Sequence, residues 1–209
     1  MIREGRSWSG RERNCCFLNT ADGKFSDISA VSGFDFIDDS RALAVGDWDG
    51  DGDPDLWISN RNAPRLRFLR NDAAPPGSFL SLKLQGDGES TSLDAVGARV
   101  EVQEPGADKR PLLRSVTAGD GFLTQSSRWL AFAVGRNSAA VQAKVSWPGG
   151  ATEVFAGLKA GGRYELIQGS GRGKAAAGTA SLEATKPTAP AVSPPPRESD
   201  KARIPLVTR

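Results

Sequence analysis

An all-β fold is predicted by three observations. Residues alternate apolar and polar in "FLSLKLQ" (79–85), "GARVEVQE" (97–104) and "VQAKVSW" (141–147). Tight-turn signals such as Asp22-Gly23 and Pro148-Gly149-Gly150 punctuate the chain, and no segment has convincing helical periodicity. The expected architecture is one to one-and-a-half propeller-type β-hairpin repeats, then an antiparallel β-sandwich or barrel, then a disordered tail.

The elements follow in order. Residues 1–13 are polar and basic, a flexible lead-in. In 14–73, Phe17-Leu18 and Phe25 flank Asp22-Gly23, a hairpin signal. "ALAV" (42–45) and "LWIS" (56–59) have strand composition on either side of an acidic loop. "RLRFLRND" (65–72) echoes "NCCFLNTAD", with Phe68-Leu69 standing 51 residues after Phe17-Leu18, which suggests a repeated blade-sized unit. A second unit, 78–169, follows the "APPG" break. Its alternation puts Leu80, Leu82 and Leu84 on one face, Ala98, Val100 and Val102 opposite Arg99, Glu101 and Gln103, and Val141, Ala143, Val145 and Trp147 on one side of a third strand. Further strands are expected at 112–117, 129–134, 152–156 and 163–168. Residues 170–209 are rich in Ala, Pro, Gly and Ser. They cannot bury enough apolar surface to offset the entropy of ordering, and so read as a disordered linker.

Composition excludes several functions. The 209 residues include no histidine, which removes the commonest general base and transition-metal ligand. The two cysteines, Cys15 and Cys16, are adjacent, so they form neither a disulfide framework nor a zinc site; at least one is expected to pack as a small hydrophobe in a strand. No apolar run is long enough to span a membrane, and the amino terminus lacks the apolar core of an export signal. Net charge is +2, with seven basic and three acidic residues in 170–209. Those positives sit without aromatics, so no nucleic-acid groove is expected.

The stretch "GDWDGDGDPDLW" (46–57) carries the chemistry. Asp47, Asp49, Asp51, Asp53 and Asp55 fall within nine positions. Two like charges about 5 Å apart at an effective dielectric near 20 repel by about 3 kcal/mol, so an ordered loop of this kind calls for a cation. An unoccupied, solvated acidic turn is the alternative. Asp47, Asp49 and Asp51 occupy positions 1, 3 and 5 of a calcium loop. Asp53 at 7 would offer its backbone carbonyl with the side chain outward, Asp55 at 9 would close the shell, and Gly52 at 6 would permit the sharp turn. Hard carboxylates without sulfur or imidazole favour Ca²⁺. Position 12 is Ile58 where an EF-hand needs Glu, and the flanks are strands, so an EF-hand is excluded.

"ALAVGDWDGDGDPDLWISN", with "FLNTADGKFSDIS" before it, resembles an FG-GAP/VCBS repeat, the calcium-loop blade of integrin-type β-propellers. The resemblance implies a structural metal on Asp47, Asp49, Asp51, the Asp53 carbonyl and Asp55. A propeller needs several blades, so neighbouring repeats or domains of a parent protein are implied. "LDAVGARVEV", "AGDGFLTQSSRWLAFAVG" and "VSWPGGATEVFAGL" resemble the ASPIC/UnbV domain, although Ala131-Phe132-Ala133-Val134-Gly135 stands where that family often has His-Phe-Gly-Leu-Gly. These resemblances imply a non-enzymatic calcium-binding module of an extracellular or cell-envelope protein, with a protein or glycan partner on the β-domain surface and no membrane insertion. A fragment of a metal-dependent enzyme or a biosynthetic accessory protein is the alternative.

Four other places compete for a role. The Gly119-Asp120-Gly121-Phe122 turn reads as a hairpin before an aromatic core residue, ahead of a ligand-facing loop. Arg99 reads as a solvated strand face. Trp147 is expected to cap the core, and "GSGRG" (169–173) to be linker rather than a phosphate loop.

Overall fold

A computed structural model describes residues 12–72, 79–104, 111–135 and 141–176. The repeat opens with a hairpin of β1 (Phe17–Asn19) and β2 (Phe25–Asp27), turning through Asp22-Gly23 as expected. A single helical turn, α1 (Ser29–Ser32), follows. It is fastened to the chain before the hairpin by the Cys16 N–H, which donates to Ser29 Oγ at 2.8 Å, and by the Ile28 N–H, which donates to the Cys16 carbonyl at 2.9 Å. Then come β3 (Ser40–Gly46), β4 (Asp55–Asn60) and β5 (Leu66–Leu69), an antiparallel sheet in that order. The segments spaced 51 residues apart are thus both strands; the counterpart of Phe25 falls at residue 76, outside the described residues. The cysteines depart from expectation. Both precede β1, Cys15 is exposed and Cys16 half-buried, because the chain here is tied down by backbone bonds and not by a packed face.

A buried polar knot closes the sheet's far end. Arg67 ion-pairs with Asp38 and lies over the Phe36 ring at 3.9 Å, while the Asn60 side-chain amide donates to Asp38 Oδ2 at 3.1 Å. The hydrogen bond from Arg67 holds the Asp38 carboxyl below its ordinary 3.8, burial opposing it in part. A depressed pKa means the unfolded chain binds this proton more readily. The stabilisation is therefore complete above about pH 4 and lost as pH falls through the lowered folded value. An Arg67→Met variant is expected to lose this acid sensitivity, read from unfolding midpoints between about pH 5 and 2; an unchanged pH profile would assign the sensitivity elsewhere.

The second unit is a sandwich of two four-stranded sheets. One has the order β11-β10-β7-β8, from β7 (Arg99–Gln103), β8 (Leu112–Ser115), β10 (Val141–Ser146) and β11 (Thr152–Leu158). The other has the order β13-β12-β6-β9, from β6 (Phe79–Gln85), β9 (Leu130–Ala133), β12 (Arg163–Ile167) and β13 (Gly173–Ala175). Alternation decides which side faces in. Leu80, Leu82, Leu84, Val100, Val102, Val141, Ala143 and Val145 form one core with Phe155, Leu158 and Leu166, and Trp147 caps it. Neither sheet closes into a barrel. Among the described residues all strand pairs but one are antiparallel; β6 and β12 run parallel, Ser81 opposite Arg163, since strands so far apart in sequence are not bound by a hairpin's constraint. Order also continues past residue 169 into the stretch expected to be linker, where β13 adds to β12. Residues 177–209 lie outside the described residues.

The units meet along the outer edge of β3. The Ser127 N–H donates to the Val45 carbonyl at 2.7 Å, the Val45 N–H to Ser126 Oγ at 3.1 Å, and Thr124 Oγ1 to the Leu43 carbonyl at 3.0 Å. A strand edge that would otherwise expose unpaired donors and acceptors is thereby covered.

Candidate metal centre

The register of β3 and β4 builds the acidic loop. Gly46 pairs with Asp55, so positions 1 and 9 of the loop start side by side at the mouth of the hairpin. Between them the chain turns through Gly50 and Gly52, at φ of 79° and 99°, a left-handed conformation that a side chain would strain. The loop's amides then point at its own carboxylates. Asp47 Oδ1 accepts from the Gly50 N–H at 2.8 Å, Asp49 Oδ1 from the Asp51 N–H at 3.3 Å, and Asp51 Oδ1 from the Asp53 N–H at 3.0 Å. These bonds fix each side chain through one oxygen, and its second oxygen has no part in them.

The structure brings Asp47, Asp49 and Asp55 together, each with a carboxylate oxygen within 4.8 Å of the others. Asp51 stays outside that group and is exposed. Asp53 differs more. Its side chain, expected to face outward, is buried with the residue 4% exposed, and Oδ1 has no hydrogen-bond partner. Burial, then repulsion from Asp51, Asp55, Asp49 and Asp47, raises its carboxyl to about 7. Burial also raises Asp51, partly opposed by the Asp53 amide.

Asp55 has a structural role that the spacing did not reveal. It is fully buried, with Oδ2 accepting from the Trp48 N–H at 2.8 Å and Oδ1 from the Asn71 N–H at 2.9 Å. One carboxylate thus joins the loop to the chain leaving β5. Trp57 links the loop to the sheet, with Trp48 edge-on at 5.1 Å and the Phe68 ring at 4.7 Å.

Two arginines approach the cluster, and neither was singled out by the sequence. Arg70 Nε lies 3.9 Å from Asp49 Oδ2 but is closer to Asp72, at 2.9 Å. Arg163 Nη1 lies 3.7 Å from Asp47 Oδ2. The two approaches to the cluster, at 3.9 and 3.7 Å, are ion pairs without hydrogen-bond contact, and two positive charges do not balance five aspartates. A convergent, all-oxygen set with surplus negative charge fits a hard divalent cation such as Ca²⁺.

The other candidates fall out plainly. Arg99 is solvated and pairs with Glu101 at 3.5 Å. Phe122 is not a core residue: it is 66% exposed and Leu123 beside it 89%, because Asp120 turns inward to accept from the Ser126 N–H and leaves the tip outside.

Comparison with protein families fits this division of the chain. Residues 7–58 match the family described as FG-GAP-like repeat, and residues 88–173 match the family described as ASPIC and UnbV. The chain thus carries a match to the first family followed by a match to the second. No curated protein matches it. Among the described residues no helix is long and apolar enough to cross a membrane.

Proposed function

We propose that this FG-GAP-like repeat and ASPIC/UnbV domain form a calcium-braced, non-enzymatic binding module of a larger extracellular or cell-envelope protein, whose β-domain surface takes up a protein or glycan partner. The observation that carries the reading is the convergence of Asp47, Asp49 and Asp55 within 4.8 Å. Asp51 and the Asp53 carbonyl complete the set of oxygens that the loop's spacing offers. Bound calcium would supply positive charge that cancels the mutual repulsion of the loop. The chain's own residues do the rest. Asp55 ties the loop to Asn71, the Trp48–Trp57 contact seats it on the sheet, and the 124–127 segment holds β3 against the β-domain. A rigid loop then fixes that junction and the surface beside it. The lack of histidine and of a nucleophile with an adjacent base supports a binding role over a catalytic one.

Calcium titration followed by thermal unfolding tests the reading. At free calcium about 100-fold above the dissociation constant, a site present only in the folded form stabilises by about 2.7 kcal/mol. For a unit this small that is a rise on the order of 10 °C, reversed by chelator. Asp49→Ala should abolish the rise. A melting temperature indifferent to millimolar calcium would overturn the proposal.

A further inference from the structure

We propose that the cleft between the acidic loop and the β-domain binds a small carboxylate-bearing ligand, and that a cation in the loop switches this site on through Arg163. The inference rests on the calcium reading above and adds a ligand to it. The cleft holds about 220 Å³ and is lined by Asp47 from the loop and by Arg114, Ser126, Ser127 and Trp129 from the β-domain, with Phe79 and Leu130 giving it an apolar wall. Such a mixed lining suits a monoanion attached to a carbon body better than a strongly hydrated dianion.

Arg163 does not line the cleft itself but stands at its edge against two residues that do, Trp129 and Asp47. Its guanidinium carbon lies 4.0 Å over the Trp129 ring, and its Nη1 faces Asp47 at 3.7 Å. Trp129 is set in place by its backbone N–H, which donates to Ser127 Oγ at 3.2 Å. Lys83 also approaches the ring, at 5.8 Å, but its charge is taken up by Glu165 at 3.3 Å. The counter-charge of Arg163 is Asp47, one of the three aspartates that converge on the candidate metal position.

Asp47 cannot serve both fully. When it holds a divalent cation its attraction for Arg163 weakens, and the guanidinium fork becomes available to another carboxylate, which it matches with two parallel hydrogen bonds. Without the cation, the carboxylates of the loop repel an incoming anion. Conversely, Arg163 repels the cation until an anion neutralises it. The two ligands should therefore bind with positive and reciprocal coupling.

Isothermal titration of the full chain at low ionic strength tests this with four probes: calcium chloride, D-glucuronate, the α-amide of N-acetyl-L-aspartate, and inorganic phosphate. The two organic acids distinguish a sugar acid from an acidic peptide as the source of the carboxylate. At least one should bind about ten-fold tighter in calcium than in EGTA, and should tighten calcium by the same factor. Arg163→Gln should abolish organic-acid binding while tightening calcium on the order of three- to ten-fold, as a like charge is removed. Arg163→Lys, which keeps the charge but not the fork, should leave calcium affinity unchanged and weaken the acid. Calcium binding with neither acid bound, acid binding equal in calcium and EGTA, or inorganic phosphate bound more tightly than either acid would each overturn the inference while leaving the calcium reading intact. Absence of calcium binding would overturn both.

Discussion

Replacing Asp55 by alanine is expected to destabilise the calcium-loaded repeat by about 3–6 kcal/mol and to remove its response to calcium. Two effects oppose each other. The substitution strips the Trp48 and Asn71 amides of a buried, charged acceptor, and hydrogen bonds to charged groups are worth about 1.5–3 kcal/mol each. It also relieves like-charge repulsion, on the order of 3 kcal/mol for one close pair at intermediate dielectric. In calcium that repulsion is already neutralised, so the whole loss is felt. In EGTA the relief offsets part of it, and the loss should shrink. Asp55→Asn, which retains one acceptor oxygen, should fall between wild type and Asp55→Ala in calcium. Near-ultraviolet circular dichroism of the Trp48–Trp57 pair gives a local readout of the loop. An Asp55→Ala protein more stable than wild type in both buffers would mean that repulsion dominates and that the carboxylate holds nothing together.

Much of the fold is legible in the sequence, for a physical reason. Leu80, Leu82 and Leu84, or Val141, Ala143 and Val145, alternate because one face of each strand meets a core and the other meets water. The acidic loop is legible because five carboxylates spaced by glycines have few purposes. What escapes the sequence is set by partners far along the chain. The parallel pairing of β6 with β12 has no local signature. Asp53 looks like its neighbours, and only the folded loop buries its side chain. Arg163 stands 116 residues beyond Asp47, at the start of an ordinary strand, and nothing in its neighbourhood announces the contact. Phe122 misleads in the other direction. An aromatic after a turn usually packs inward, but the 124–127 segment is held to β3 by the Thr124 and Ser126 hydroxyls and the Ser127 N–H, and the tip at Phe122 is left outside.

The division of stability between the units yields the second large effect. Phe155→Ala is expected to cost about 3–5 kcal/mol, the transfer and cavity terms for a fully buried aromatic. Phe155 sits in β11 opposite Ala143, a small neighbour with little side chain to collapse into the space. Val154, next to it and 52% exposed, should change stability by no more than about 0.5 kcal/mol when truncated to alanine. The consequences should spread unequally. The β-domain supplies nearly all the buried apolar side chains of the described residues, whereas the repeat contributes Ile58 alone. The outer edge of β3 also depends on Ser126 and Ser127 of that domain for hydrogen bonds. Loosening the β-domain should therefore release the repeat as well, and amide exchange in β3 should quicken together with that in β10. Damage to the repeat should not travel back: Asp55→Ala should leave exchange in β10 at the wild-type rate. Phe155→Ala with unchanged protection in β3 would show that the repeat stands on its own, and the shared edge would then be a contact without energetic weight.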